Sequence, residues 1–217
     1  MLKNNNIRKK FHRNGFIILK NFIPKKLINN LQRDTHKLVK KMKNNASYKS
    51  DFYKDVHYLK SGELSSVHNI NNHMNYHKRF FHQTKITKVF KKIYGEPSKK
   101  WFNSSYFLKP KGKGIATKAH QDNAFFNLKP VEAITCWIPV NNVNKKNSPL
   151  FYYLGSNKEG NVKHIYDGNL GASLCVTKNN ISKIKKKYKK VYITLKKGDC
   201  IVHGPLVVHG SEKNSGF

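Results

Sequence analysis

Apolar positions fall into two textures along this chain. Over 24-PKKLINNLQRDTHKLVKKMK-43, residues Leu27, Ile28, Leu31, Leu38, Val39 and Met42 form one stripe at helical spacing. Pro24 suits a first helical turn, where its missing N–H costs nothing. A second stripe, Ile86, Val89, Phe90 and Ile93, predicts a helix around residues 79–94, which Gly95 and Pro97 then stop. Ahead of both, 11-FHRNGFIILKNFI-23 reads as a short strand, Phe16 to Leu19, and a turn.

From residue 101 the pattern changes. Short runs rich in aromatic and β-branched residues alternate with Gly, Asn and Pro clusters: 101-WFNSSYFL-108, 132-EAITCWIPV-140, 149-PLFYYL-154, 170-LGASLCV-176, 191-VYITL-195 and 200-CIVHGPLVVH-209. Several short strands with turn signals between them predict a sandwich or barrel. The expected architecture is mainly β, with N-terminal helices packed on the β core. No repeat or linker divides it, so residues 1–217 read as one domain. The lysine run 183-KIKKKYKK-190 reads as an exposed loop or the approach to a strand.

Composition adds limits. The 217 residues are enough for one domain with a real core. No apolar run approaches the roughly 20 residues that span a bilayer, and the basic start MLKNNNIRKK leads into no signal-like apolar run. A cytoplasmic location is expected. Cys136, Cys175 and Cys200 suit neither a disulfide framework nor a zinc pattern. The net charge of +32 invites a polyanion partner. Yet only Arg8, Arg13, Arg33 and Arg79 are arginines, the residue favoured for bidentate phosphate and base contacts. Lysine is instead scattered over the whole chain. Loose electrostatic binding at low salt is expected, and a specific nucleic-acid partner is not.

The candidate chemistry lies in 118-KAHQDNAFFNLKP-130 and 198-GDCIVHGPLVVHGSEKN-214. His120 and Asp122 are two residues apart. On an extended segment that spacing turns both side chains to one side, offering an imidazole and a carboxylate to one ion. The third ligand must come from elsewhere. His209 ends the apolar stretch 205-PLVVH-209, and His203 in the same region competes with it. Two histidines and one carboxylate leave positions open and suit non-haem Fe(II), which must also take a bidentate cosubstrate and dioxygen.

Other candidates are plainer. His68, His73, His77 and His82 cluster in 67-VHNINNHMNYHKRFFH-82 without an acid among them and read as a polar surface. Phe125 and Phe126 follow the first motif; both suit a core, and Phe125 is a candidate for lining a substrate. Asp199 reads as a turn residue. No GxSxG elbow or P-loop is present.

These stretches resemble the phytanoyl-CoA dioxygenase family of Fe(II)/2-oxoglutarate oxygenases. The likeness runs through 15-GFIILKNFIPKKLINNLQ-32, 109-KP-110 with 120-HQD-122, 137-WIPVNNVNKKNSPLFYYLGSNKEG-160 and the distal-histidine stretch from residue 198. It implies a double-stranded β-helix (a jelly roll, as in cupins) and an enzyme taking Fe(II), 2-oxoglutarate, O2 and a small organic or acyl-type substrate, hydroxylation being the default outcome. It makes His120, Asp122 and His209 the iron ligands. Trp137 matches a tryptophan lining the 2-oxoglutarate pocket, Ser211 a serine on the far carboxylate, and Ser105 and Tyr106 fall on the cosubstrate strand. Leu154 and Asn157 depart from a proline and a histidine around the family's glycine-serine turn. The family also pairs the far carboxylate with an arginine beyond the distal histidine. No arginine follows Arg79 here, which implies a chain truncated at its C-terminus or, as the alternative, a lysine anchor. A basic polyanion binder, or a catalytically silent protein on the same fold, is the competing reading.

Overall fold

The computed structural model describes residues 4–44, 55–73, 85–96, 103–168 and 173–216. In chain order it contains α1 (Asn4–Asn14), β1 (Phe16–Leu19), α2 (Lys25–Asn44), β2 (Val56–Tyr58), β3 (Leu64–Val67), α3 (Ile86–Tyr94), β4 (Tyr106–Phe107) and β5 (Thr117–His120). There follow α4 (Asn123–Phe126), β6 (Thr135–Trp137), β7 (Leu150–Tyr153), β8 (His164–Tyr166), β9 (Leu174–Val176), α5 (Lys178–Lys187), β10 (Lys190–Ile193), β11 (Cys200–His203) and β12 (His209–Ser211).

Two antiparallel sheets carry the fold, one ordered β1-β11-β6 and the other β10-β7-β12-β5. Alternation along each strand sends every second side chain between them. Phe16, Ile201 and Trp137 from the first sheet meet Leu150, Tyr152 and Ile193 from the second. The Phe16 and Tyr152 rings stack with centroids 4.3 Å apart. Burying such side chains is worth roughly 1.5–3 kcal/mol each relative to leaving them in water. This two-sheet jelly roll is the β core expected.

Helices cover the outer faces. α1 and α3 close the first sheet: Ile7, Phe11, Ile86, Val89 and Ile93 pack on Ile17, Leu19, Cys200 and Val202. α2 buries Leu27 and Ile28 at one end and Leu38 and Met42 at the other, the latter against the small sheet β2-β3-β4. The two predicted apolar stripes therefore face the protein, although residues 79–84 of the second lie outside the described residues.

Three expectations change. α1 was not foreseen, because NNNIRKKFHRN offers only Ile7 and Phe11, one turn apart, as an apolar stripe. The lysine run is mostly helical: α5 reaches Lys187, and Ile184, with Ile181 beside it, packs on Phe151 and Tyr153 of the second sheet's outer face. Two isoleucines three residues apart suffice to seat a helix whose lysines face water. Finally, 200–209 is two strands in different sheets. The chain turns after His203 at Gly204 and Pro205, where Gly204 N–H donates to Gly15 O at 3.0 Å and Val207 N–H donates back to Gly204 O.

Candidate metal centre

Strand pairing brings the two motifs together. His209 of β12 lies directly opposite His120 of β5, and its other neighbour is Tyr152 of β7. The two imidazole centroids are 4.4 Å apart. Asp122 reaches them from a turn, with φ −60° and ψ −31° at the start of α4. This corrects the reading of His120 and Asp122 as neighbours on one side of an extended strand. The chain bends at Gln121, and the bend aims the carboxylate back. Asp122 Oδ1 lies 3.7 Å from His120 Nε2 and 3.5 Å from His209 Nε2. Two donors that each approach a first-row ion to about 2.1 Å can be up to roughly 4 Å apart.

The bend is held from within. Gln121, buried, donates through Nε2 to Gly160 O (2.7 Å) and Leu206 O (2.6 Å) and accepts from Val162 N–H at 2.9 Å. Its own N–H donates to His164 Nε2 at 3.0 Å, while His164 Nδ1–H donates to Val162 O. Gln121 and His164 are structural parts that sequence reasoning missed. The only sequence trace was a glutamine between two candidate ligands.

Both histidines present the right nitrogen. His120 Nδ1–H donates to Lys118 O at 2.8 Å, and His209 Nδ1–H donates to Val207 O at 3.0 Å. Each ring thus keeps an unprotonated Nε2 toward Asp122. Burial holds both imidazoles below their ordinary pKa, for His209 well below, and neighbouring histidines push the same way. Burial would raise the Asp122 carboxyl, but His209, His203 and His120 together outweigh it, and the group stays well below the usual carboxylate range. The result is a buried carboxylate between two neutral imidazoles.

His203 has a different place. Its Nε2–H donates to Asp122 Oδ2 at 3.0 Å, and its Nδ1 accepts from Tyr152 O–H at 2.9 Å. Thr135 Oγ1 donates to the same carboxylate oxygen at 2.5 Å. Thr135 lies opposite His203 in the β11–β6 register, so both come from the inner face of the first sheet. With Oδ2 occupied twice, Oδ1 is the oxygen turned to His120 and His209. Among the described residues, His120, Asp122 and His209 are the group of three whose donor atoms lie within 4.8 Å of one another.

The remaining candidates spread out from this centre. Ser211 is two residues beyond His209 on β12 and accepts from Lys109 Nζ at 2.6 Å. Trp137 lies on the inner face opposite Ile201, packed on the central apolar cluster. Phe125 is 44% exposed and its ring stands perpendicular to His120, centroids 5.8 Å apart, so it is a rim residue and not core. Ser105 bonds His68 Nδ1 at 3.0 Å. Tyr106 packs among Leu38, Met42 and Val67. His73 sits 3.8 Å from Asp55, an acid from outside its own stretch, and His77 and His82 lie outside the described residues. Asp199 is a turn residue, accepting from Lys20 Nζ and from the N–H groups of Asn21 and Lys196.

The sequence profile of the phytanoyl-CoA dioxygenase family matches residues 11–216. The peroxisomal phytanoyl-CoA dioxygenase of Homo sapiens is 23% identical over 218 residues, covering 95% of this chain and 63% of that protein. A phytanoyl-CoA dioxygenase domain-containing protein 1 homolog of Caenorhabditis elegans is 26% identical, covering 96% of this chain and 85% of its own length. Among solved structures, EctD from S. alaskensis with 2-oxoglutarate and 5-hydroxyectoine aligns with a TM-score of 0.77 at 17% identity, over 99% of this chain and 72% of that one. The epimerase SnoN, solved with Fe3+, alpha ketoglutarate and nogalamycin RO, aligns with a TM-score of 0.74 at 15% identity, over 98% and 78% of the two chains. At such identities these structures establish the shared fold.

Proposed function

This chain belongs to the phytanoyl-CoA dioxygenase family, and from that premise we propose that it is an Fe(II)- and 2-oxoglutarate-dependent oxygenase acting on a small organic or acyl-type substrate. The observation that carries the reading is the convergence of His120 Nε2, Asp122 Oδ1 and His209 Nε2 in one buried cluster. Two neutral nitrogens and one carboxylate oxygen fit a divalent first-row ion and leave it positions for other ligands. Hydrogen bonds already hold each donor in its ligating form.

When bound, Fe(II) with 2-oxoglutarate and O2 supplies the oxidising chemistry that attacks a C–H bond, with succinate and CO2 released. The protein's own residues hold and orient. His120 and His209 offer lone pairs on rings fixed by backbone carbonyls. Asp122 offers one charge through one oxygen, because His203 and Thr135 occupy the other. Ser211 lies on the same strand and face as His209 and would hold one end of the cosubstrate. Trp137, packed on the central apolar cluster, would line that space, and Phe125 at the rim suits an apolar part of the substrate.

Among the described residues no helix is long and apolar enough to cross a membrane. All three cysteines are free, which supports a reducing compartment, and the proposed location is the cytoplasm. The reading includes no specific nucleic-acid partner.

The test is turnover of 2-oxoglutarate to succinate by purified protein with Fe(II), ascorbate and O2. The expected result is succinate formation above that of free Fe(II), lost in Asp122→Ala. Iron-loaded, folded protein forming no more succinate than free Fe(II) would overturn the reading.

A further inference from the structure

Two of the three thiols meet on the outer face of the first sheet. In the β11–β6 register Cys136 lies opposite Val202, and Trp137 opposite Ile201. Cys200, two residues before Val202, is therefore the diagonal neighbour of Cys136 on the same face. Both side chains belong to the apolar layer under α1 and α3. The two thiols hydrogen-bond to each other. Cys200 Sγ also donates to Ile201 O at 3.4 Å. With its own hydrogen used there, the Cys200 sulfur is placed to accept the Cys136 S–H. Cys175 belongs to another sheet, on β9 opposite Ile165.

The pair is unequal. Cys200 has none of its surface exposed, whereas Cys136 is half-buried. The Cys136 thiol and burial push Cys200 well above the ordinary thiol range, so it stays protonated and unreactive by itself. A small oxidant therefore meets Cys136 first, and the sulfur within reach of what forms there is Cys200.

The strands allow a bond to close. β6 is three residues long and, among the described residues, stands at the edge of its sheet. Diagonal neighbours across a strand pair sit about 7–8 Å apart, and a disulfide needs its Cα atoms within about 7 Å. Closing the bond thus draws β6 toward β11 by about 1 Å, and an edge strand can give that much. The same two strands support the candidate metal centre. Thr135 precedes Cys136, His203 lies three residues past Cys200, and both donate to Asp122 Oδ2. Moving this strand pair moves the donors that orient the carboxylate.

We infer that Cys136 and Cys200 are a peroxide-sensitive dithiol site, whose reversible disulfide weakens metal holding at Asp122. The weakening rests on the oxygenase reading above; the thiol chemistry does not. The Cys136 sulfur attacks one oxygen of hydrogen peroxide, the O–O bond breaks, and the leaving hydroxide takes the thiol proton and departs as water. This leaves a sulfenic acid on Cys136. The Cys200 sulfur then attacks the Cys136 sulfur, the S–O bond breaks, and the second hydroxide leaves as water with the Cys200 proton. The pair gives up two electrons, which reduce one peroxide to two waters. A small dithiol reopens the bond by exchange.

The experiment treats metal-free, folded wild type with hydrogen peroxide, removes the excess, blocks the remaining thiols and maps the unreduced digest by mass spectrometry. The expected result is a linked Cys136–Cys200 peptide, with Cys175 recovered as a blocked thiol, and full reversal by dithiothreitol. In Cys200→Ser the sulfenic acid on Cys136 has no partner and is trapped by dimedone. Equilibrium Fe(II) titration of the oxidised wild type should show affinity lowered roughly 10- to 100-fold, the scale of disturbing a residue that orients a ligand, and restored by dithiothreitol. Three free thiols after peroxide, or oxidation of Cys175 in step with Cys136, overturns the site. A linked pair with unchanged Fe(II) affinity overturns its hold on the metal centre. No Fe(II) bound by the reduced protein defeats the oxygenase reading and the link to it, while the peptide map decides the dithiol site on its own.

Discussion

His203 Nε2 lies 3.0 Å from Asp122 Oδ2, the carboxylate oxygen turned away from His120 and His209. That hydrogen bond leaves Asp122 one oxygen to offer the proposed metal. Tyr152 fixes the His203 ring in turn, and Tyr152, with none of its surface exposed, is locked by stacking on Phe16. The proposed metal centre is thus anchored through the aromatic core that joins the two sheets.

A positioning role for His203 has a graded signature. His203→Gln is expected to weaken Fe(II) binding by about 10- to 100-fold, the usual cost of removing a residue that orients a ligand. Tyr152→Phe, which removes only the outer hydrogen bond, should cost less, about 1 kcal/mol. Equilibrium Fe(II) titrations of both variants check this. Complete loss of binding in His203→Gln would instead make His203 a ligand.

Gly210 stands between the proposed ligand His209 and Ser211 with no room for a side chain. A Cβ there would fall 2.5 Å from Thr117 O and 2.6 Å from Phe151 Cζ. β12 is flanked by β5 and β7, so the backbone cannot retreat. Gly210→Ala should destabilise the fold by about 1–3 kcal/mol and weaken Fe(II) binding together. Thermal unfolding and metal titration on one sample test the coupling. A wild-type Tm would refute it.

Asp199 should matter for stability and not for metal binding. It is buried and accepts from Lys20 Nζ at 2.8 Å, Lys196 N–H at 2.9 Å and Asn21 N–H at 3.0 Å. Burial would raise its carboxyl, but Lys20 and the two amides outweigh that and lower it. A depressed carboxyl contributes stability that is present above its unfolded value near 4 and is lost as pH falls through its lower folded value. Asp199→Asn should therefore cost about 1.5–3 kcal/mol at neutral pH. It should also flatten the acid limb of stability against pH, with Fe(II) affinity unchanged. Denaturant melts at several pH values show whether the difference from wild type shrinks in acid, as it must.

The legible parts of this chain were those where one side-chain pattern has one physical outcome. The α2 and α3 stripes could only face a core, and FIIL between Gly15 and Asn21 could only be a short strand. His120, Asp122 and His209 were legible as donor chemistry, but their geometry was not. Asp122 turns back through the bend that Gln121 holds, a contact made by residues 39 to 85 positions away. The α5 lysines misled because charge density says nothing about backbone conformation, and two isoleucines are a faint stripe. For Tyr106 a two-residue strand leaves open which way each residue faces, and the structure packs this one among Leu38, Met42 and Val67.

The most direct test of the account is anaerobic Fe(II) binding followed by 2-oxoglutarate titration of wild type and Asp122→Ala. The account predicts one tightly held iron per wild-type chain, visible absorption on adding 2-oxoglutarate, and loss of both in Asp122→Ala with the fold retained by circular dichroism. Wild-type protein that binds no iron, or binds it equally well without Asp122, would contradict the centre described here.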